Sequence, residues 1–234
     1  MSGWPAAGRA ALFDFDGTIV DSEMVVASVL LELLAEDGAV ATLADIGPVF
    51  GGSSAETYRV WTAILTRLCG PNVDVADMDR RLEERSAPRL STAPVRAGAV
   101  ELVRAARRAG WRVGLGTGRR RAQLTAELAR LGLANAFDAI CTVDDVAHGK
   151  PEPDIYLALA DDLDVPPARC AVVEDSLPGV RAALAAGMPV LLCPSPVTAA
   201  CHFPAAVRRI DSLTMGLDEL AGLLDDEPPN ILVV

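Results

Sequence analysis

The apolar run Ala10-Ala11-Leu12-Phe13 stops at two carboxylates one residue apart, and a glycine and a hydroxyl follow: Asp14-Phe15-Asp16-Gly17-Thr18. Four apolar residues bounded by turn formers read as a short buried strand. A strand ending in two acids puts charge at the carboxyl edge of a sheet, where open α/β sheets bind their ligands. One aspartate there can cap the next helix. Two, with Gly17-Thr18 behind them, ask for a metal or a reacting group, because like charges this close raise each other's pKa unless a cation intervenes. Four fixed identities arise by chance on the order of once in 10^5 start positions.

The texture of the chain changes twice after this stretch. From Ser22 the apolar positions Val25, Val26, Val29, Leu30, Leu33 and Leu34 recur at helical spacing, ending near Gly38. Gly47-Pro48 and Gly51-Gly52 break the next piece, and Ser53 and Ser54 are placed to cap a helix running to Gly70. Asp74 or Asp77 opens another, to about Leu90. Helices alone are expected over 21–92, with a linker at Ser91-Thr92-Ala93-Pro94. Beyond it helices and strands alternate. Strands are expected at 111–117, 137–142, 170–174, 190–193 and 207–210, and helices at 97–109, 119–131, 153–163, 177–186 and 218–224. That alternation implies a parallel, doubly wound α/β sheet, a Rossmann-like core. The expected organisation is a core of 1–20 and 93–234, with 21–92 inserted as an all-helical domain. The apolar end of 225–234 is expected to be ordered only by docking.

Composition narrows the function. The chain has 234 residues, 51% of them hydrophobic, enough to bury a sizeable core. A formal charge of −11 argues against nucleic acid or an anionic membrane surface as partner. No apolar run approaches the ~18 residues that cross a bilayer, and no basic stretch with an apolar core opens the chain, so a cytoplasmic location is expected. Cys69, Cys141, Cys170, Cys193 and Cys201 form no C-x-x-C pair, and Cys141, Cys170 and Cys193, in or beside apolar runs, read as small buried hydrophobes. Among twenty-one basic residues only Lys150 is a lysine. An ammonium is a compact point charge, unlike the planar fork of arginine.

Four polar clusters follow expected strands: Asp14 and Asp16; Thr117 in Gly116-Thr117-Gly118; Lys150 in Gly149-Lys150-Pro151; and Glu174-Asp175-Ser176. Taken singly, the last three read as a strand-end residue, as a solvated lysine and as helix capping. A parallel sheet delivers all four to one edge, and together they suit phosphoryl transfer. Carboxylates hold a divalent cation, one carboxylate can attack, a second can move the proton, and a hydroxyl and an ammonium complete the shell around the phosphoryl oxygens.

These residues resemble the haloacid dehalogenase superfamily, in the helical-cap branch that includes β-phosphoglucomutase and sugar-phosphate phosphatases. The matching stretches are Asp14 to Glu23, Thr117, Gly149-Lys150-Pro151-x-Pro153-Asp154-x-Tyr156, and Val173-Glu174-Asp175-Ser176-x-x-Gly179. The resemblance implies Asp14 as nucleophile and Asp16 as general acid and base. It implies Thr117 and Lys150 as holders of the phosphoryl group, and Mg²⁺ on Asp14, Asp175 and the backbone carbonyl of Asp16, with Glu174 a ligand directly or through water. The dehalogenases lack the second acid, so Asp16 points to phosphate esters. Phosphonoacetaldehyde hydrolases use a cap lysine, and 21–92 holds none.

Mutases of this type place a histidine and an arginine around the cap. Here Val26 stands ten residues after Asp16, and 51–57 holds no arginine. The expectation is therefore a Mg²⁺-dependent phosphatase of a small phosphorylated metabolite, chiefly a sugar phosphate, acting as a monomer or weak homodimer. A β-phosphoglucomutase-like phosphomutase is the alternative, and a phosphoglycolate or nucleotide phosphatase a further one. Gly118, Arg119, Arg120, Gly52, Ser53 and Ser54 are the expected substrate contacts. Arginine at a helix start opposes the macrodipole, so Arg119 or Arg120 is expected to face an anionic ligand.

Overall fold

A computed structural model describes residues 8–52 and 55–225. Its centre is a six-stranded sheet: β1 (Ala10–Phe13), β2 (Arg112–Gly116), β3 (Ala139–Cys141), β4 (Cys170–Glu174), β5 (Val190–Leu192) and β6 (Arg208–Arg209). The strand order is β3-β2-β1-β4-β5-β6 and every pairing is parallel. The chain builds outward from β1 on one side, then returns to build outward from β4. The order therefore reverses between β1 and β4, and the crevice at such a switch point is where doubly wound sheets take ligands.

Both faces of the sheet are covered, which is why its strands read as continuous apolar runs. Ala11, Phe13, Val113, Leu115 and Val173 pack under α5 (Ala99–Arg108), α6 (Arg121–Arg130) and α9 (Gly216–Asp225). Leu12, Val172, Val190 and Leu192 pack under α7 (Asp154–Asp162) and α8 (Leu177–Ala185).

The stretch between β1 and α5 is helical, as its periodicity implies: α1 (Ser22–Glu36), α2 (Leu43–Ile46), α3 (Ala55–Cys69) and α4 (Val75–Leu90). Leu30, Leu33, Leu34, Trp61, Leu65 and Met78 form an apolar cluster of their own, joined by Val197 from the loop after β5. The two connections to the core run side by side. Val20 bridges Val95, the Asp21 amide donates to the Pro94 carbonyl (2.8 Å), and the Arg96 amide donates to the Ile19 carbonyl (2.9 Å).

Where the elements differ from the sequence expectation, three of the differences have a clear local cause. α2, not anticipated, is started by Thr42 and Asp45, whose side chain accepts from the Thr42 amide (3.0 Å). β3 begins at Ala139 rather than 137, because the Asp138 side chain accepts from the Val113 amide (2.8 Å) and Arg107 (3.0 Å), replacing a ladder bond. α6 begins at Arg121 rather than 119, because the Arg119 amide donates to Thr117 Oγ1 (3.1 Å). Ser53, Ser54 and most of the apolar tail lie outside the described residues. Among those described, no helix is long and apolar enough to cross a membrane.

Candidate active site at the switch point

Asp14 follows the last residue of β1, and its amide donates to the Val173 carbonyl of β4 (3.0 Å). Glu174 ends β4 and Asp175 follows it. The first and fourth sequence clusters thus meet across the reversal of strand order. Thr117 follows β2, its amide bonded to the Cys141 carbonyl (3.0 Å), and is wholly buried. Lys150 comes in from the loop before α7 and is 1% exposed. Its ammonium donates to Asp14 Oδ1 (2.5 Å), Glu174 Oε1 (2.7 Å) and the Gly116 carbonyl (3.2 Å). The single lysine is thus the cation of the buried acid cluster.

Glu174 is held from every side. Oε1 accepts from Lys150 and from the Tyr156 hydroxyl (2.8 Å). Oε2 accepts from the amides of Asp175 (3.0 Å) and Ser176 (3.1 Å) and from Ser176 Oγ (3.0 Å). Asp175 contrasts with it: it has no exposed surface, and neither carboxylate oxygen receives a hydrogen bond. It lies against Gly17, whose φ of 79° suits glycine and where a Cβ would fall 2.3 Å from Asp175 Oδ2.

An orphaned buried carboxylate is costly unless a cation or proton joins it. One ligand atom each of Asp14, Glu174 and Asp175 lie within 4.8 Å of one another. Hard carboxylate oxygens at this spacing suit a divalent cation. Asp14 and the orphaned Asp175 fit that role best, with Glu174 committed to Lys150, Tyr156 and the loop amides.

The electrostatics follow from too many acids around one base. Burial pushes the Asp14 carboxyl well up, the charges of Glu174, Asp175 and Asp16 add to this, and Lys150 opposes it. Burial and the Glu174 charge push Asp175 up to about 7. Burial alone would lower Lys150, but Asp14 and Glu174 more than reverse that and keep its ammonium charged.

Asp16 stands above this layer. Its carboxylate takes Nε (2.8 Å) and Nη2 (2.5 Å) of Arg119 and Ser22 Oγ (2.5 Å). The Arg119 guanidinium also lies over the Phe15 ring, 5.1 Å from its centroid. Asp14, Asp16, Gly118 and Arg119 form the floor of a cavity of about 710 Å³. Its roof is Val26, Phe50, Gly52, Tyr58, Trp61 and Leu82 of the helical segment. Gly51 seats this roof on the core: its φ is 84°, and a Cβ there would fall 2.1 Å from Ser176 Oγ.

The haloacid dehalogenase-like hydrolase family matches residues 9–187, which hold all four clusters. The chain belongs to this family. Among its relatives, YhcW of Bacillus subtilis (strain 168) is 35% identical over 93% of this chain and 96% of its own. Fructose-1-phosphate phosphatase YqaB of Escherichia coli (strain K12) is 34% identical over 76% of this chain and 92% of its own. CbbY of Rhodobacter sphaeroides, solved in complex with xylulose-(1,5)bisphosphate, is 30% identical, with a TM-score of 0.66 over 88% of this chain and 95% of its own. A haloacid dehalogenase-like hydrolase with phosphatases for relatives is an enzyme, and its acidic cluster is of the kind through which the family generally uses a divalent metal.

Of the expected substrate contacts, Gly52, Gly118 and Arg119 line the cavity. Arg120 is not brought there. Its side chain is 77% exposed and lies 3.5 Å from Asp144, because the turn after Thr117 sends consecutive side chains in opposite directions. His148 bonds Asp154 (3.1 Å) at the surface. The cysteines are all free, and burial pushes Cys141 up to about 11 and Cys170 to about 12, so these thiols are unreactive.

Sequence reasoning missed Arg96. It donates to the carbonyls of Gly17, Cys193 (2.9 Å) and Pro194 (3.2 Å), tying the Asp14 loop to the end of β5. One arginine among twenty carries no local signal. Tyr156 was legible within its motif, but its bond to Glu174 was not.

Proposed function

We propose that this phosphatase hydrolyses a small phosphorylated metabolite, a sugar phosphate, through an aspartyl-phosphate on Asp14 with Mg²⁺ as its cation. The observation that carries the reading is the buried pair of acids, Asp14 on Lys150 and Asp175 without a partner, beneath a 710 Å³ cavity. Relatives such as the fructose-1-phosphate phosphatase support the sugar phosphate. So do the roof rings of Phe50, Tyr58 and Trp61, flat apolar surfaces that suit the face of a sugar ring.

The Asp14 carboxylate attacks phosphorus while the ester P–O bond breaks. Asp16 gives its proton to the departing oxygen, then takes one from the water that cleaves the aspartyl-phosphate and frees Asp14. Lys150, already on Asp14, and the Thr117 hydroxyl hold the phosphoryl oxygens. Asp14, Asp175 and the Asp16 carbonyl would hold Mg²⁺, with Glu174 anchoring Lys150 beside them. Bound there, the cation would offset the charge of the acids and would polarise the phosphoryl group. Residues 21–92 act as a cap that closes on the 1–20 and 93–234 core through the paired connections at Val20 and Val95, excluding bulk water.

Val26 gives the cavity an apolar wall where a phosphomutase of this type has histidine, which favours release of phosphate over its return to the sugar. A phosphate-release screen over sugar phosphates, phosphoglycolate, glycerol phosphates and nucleotides, with and without Mg²⁺, tests the reading. Phosphate release from at least one sugar phosphate, abolished by EDTA, is expected. Isomerisation of a sugar 1-phosphate without release would replace it with the phosphomutase. Asp14→Asn should lose nearly all turnover while keeping its circular dichroism spectrum; substantial residual turnover would remove Asp14 as nucleophile.

A further inference from the structure

A fourth carboxylate, Glu23, is buried at the site and none of the roles above uses it. It is the second residue of α1, 4% exposed, and it lines the cavity with Asp14, Asp16 and Ser22. Its Oε2 accepts a long bond from Ser195 Oγ (3.3 Å), and Oε1 has no partner. One turn positions both Glu23 and Asp175. Ser195 Oγ is 3.1 Å from Thr198 Oγ1, which donates to the Asp175 carbonyl (2.7 Å).

Charge and hydrogen-bond accounting separates the four acids into two pairs. The Lys150 ammonium donates to Asp14 and Glu174. The nearest guanidinium, Arg96, spends its donors on the carbonyls of Gly17, Cys193 and Pro194 and the Cys193 sulfur. Glu23 and Asp175, close enough for each to raise or lower the other's proton affinity, are left with three of their four oxygens unbonded. Ionised carboxylates only accept, so two of them facing each other need a shared proton or a cation between them. A helix start favours an acid near its amides, but that accounts for neither the burial nor the unbonded oxygen.

We propose that Glu23 belongs to the cation site through a metal-bound water on its free Oε1, since the ligand atoms that lie within 4.8 Å of one another are those of Asp14, Glu174 and Asp175. This rests on the metal site proposed above. Glu23 brings the four buried acids to about −3 after Lys150 is counted, an excess of negative charge that a divalent ion offsets. It also links metal binding to the cap, because it stands in the first turn of α1 while the other acids belong to the core.

The test measures metal binding without turnover. Mn²⁺ binding is followed by the loss of the free-ion EPR signal, and Mg²⁺ binding by calorimetry, for the parent chain, Glu23→Gln, Ser195→Ala and Asp175→Asn. Glu23→Gln is expected to weaken binding by about 10–100-fold, the usual cost of losing a group that orients a metal shell. Ser195→Ala, which loosens Glu23 and the turn behind Asp175, should weaken it less and in the same direction. Metal-free Glu23→Gln should melt above the parent, because its amide can donate to Asp175, and should gain less on adding Mg²⁺. If Asp175→Asn loses the metal while both Glu23→Gln and Ser195→Ala bind as the parent does, Glu23 is not part of the site and only this inference fails. If Asp175→Asn also binds as the parent does, the metal site itself is wrong and both readings fall.

Discussion

In the proposed mechanism Asp16 moves a proton, yet its carboxylate is held by three donors from Arg119 and Ser22. In that mechanism Arg119 would control when Asp16 is available, because it lines the cavity and an incoming phosphate ester would compete for its guanidinium. Arg119→Ala should lower kcat/KM on the best substrate by tenfold or more. Arg120→Ala should leave it unchanged, since Arg120 points to solvent. Equal values for the parent and Arg119→Ala would separate Arg119 from the chemistry. Lys150 carries a structural duty as well. Removing it leaves Asp14 and Glu174 buried without a cation, a loss of about 3–5 kcal/mol. Lys150→Ala should melt well below the parent in metal-free buffer, and a parent-like melting temperature would show that the acids are compensated elsewhere.

At the scale of elements, α4 is fastened to α1 by charge along one edge. Arg81, Arg85 and Arg89, four residues apart on α4, form bidentate pairs with Asp37, Glu36 and Glu32 at the end of α1. These pairs are exposed, so each contributes little and salt screens them. Raising NaCl to about 0.5 M, where the Debye length is only ~4 Å, should speed hydrogen exchange in α4 while α7 stays protected. Equal effects on both helices would mean that the apolar cluster alone holds α4. The roof loop is set by contact instead. Gly51→Ala places a methyl against Ser176 and asks a β-carbon to adopt φ of 84°, so it should lift the loop and raise KM more than it lowers kcat. An unchanged KM would show that the loop does not take part in binding.

The buried acids also shape the stability of the whole molecule. An unfolded chain loses the Asp175 proton near 3.8, whereas the folded chain keeps it to about 7. Between those values the native state binds more protons, so stability is greatest below that window and falls as pH rises through it. Asp14 acts in the same direction. Carboxyls held down by arginine, such as Glu36 and Asp37, act oppositely and lose their contribution in more acid solution. The metal-free protein should therefore melt highest near pH 5 and progressively lower toward pH 8, by calorimetry. Saturating Mg²⁺, which binds deprotonated acids, should move that maximum upward; a metal-free maximum at pH 8 would contradict the placement of these acids.

Much of this was legible before any coordinates. The alternation of apolar strands and helices gave the parallel sheet, because a strand buried on both faces has no other pattern available to it. The motif order gave Asp14, Asp16, Thr117, Lys150, Glu174 and Asp175, because a parallel sheet sends successive strand ends to one edge. What remained hidden depends on direction and neighbourhood. Adjacent arginines at 119 and 120 look alike in sequence, and only the turn after Thr117 sends one to Asp16 and the other to solvent. Glu174 and Asp175 are also neighbours, but the amides at the start of α8 claim one carboxylate and leave the other bare. Glu23 reads as a favourable acid at a helix start, until α1 packs against the core and closes it in beside Asp175. Local sequence pattern determined which residues meet at the sheet edge. Packing of segments distant in the chain decided which of them find a hydrogen-bond partner and which are left to a cation.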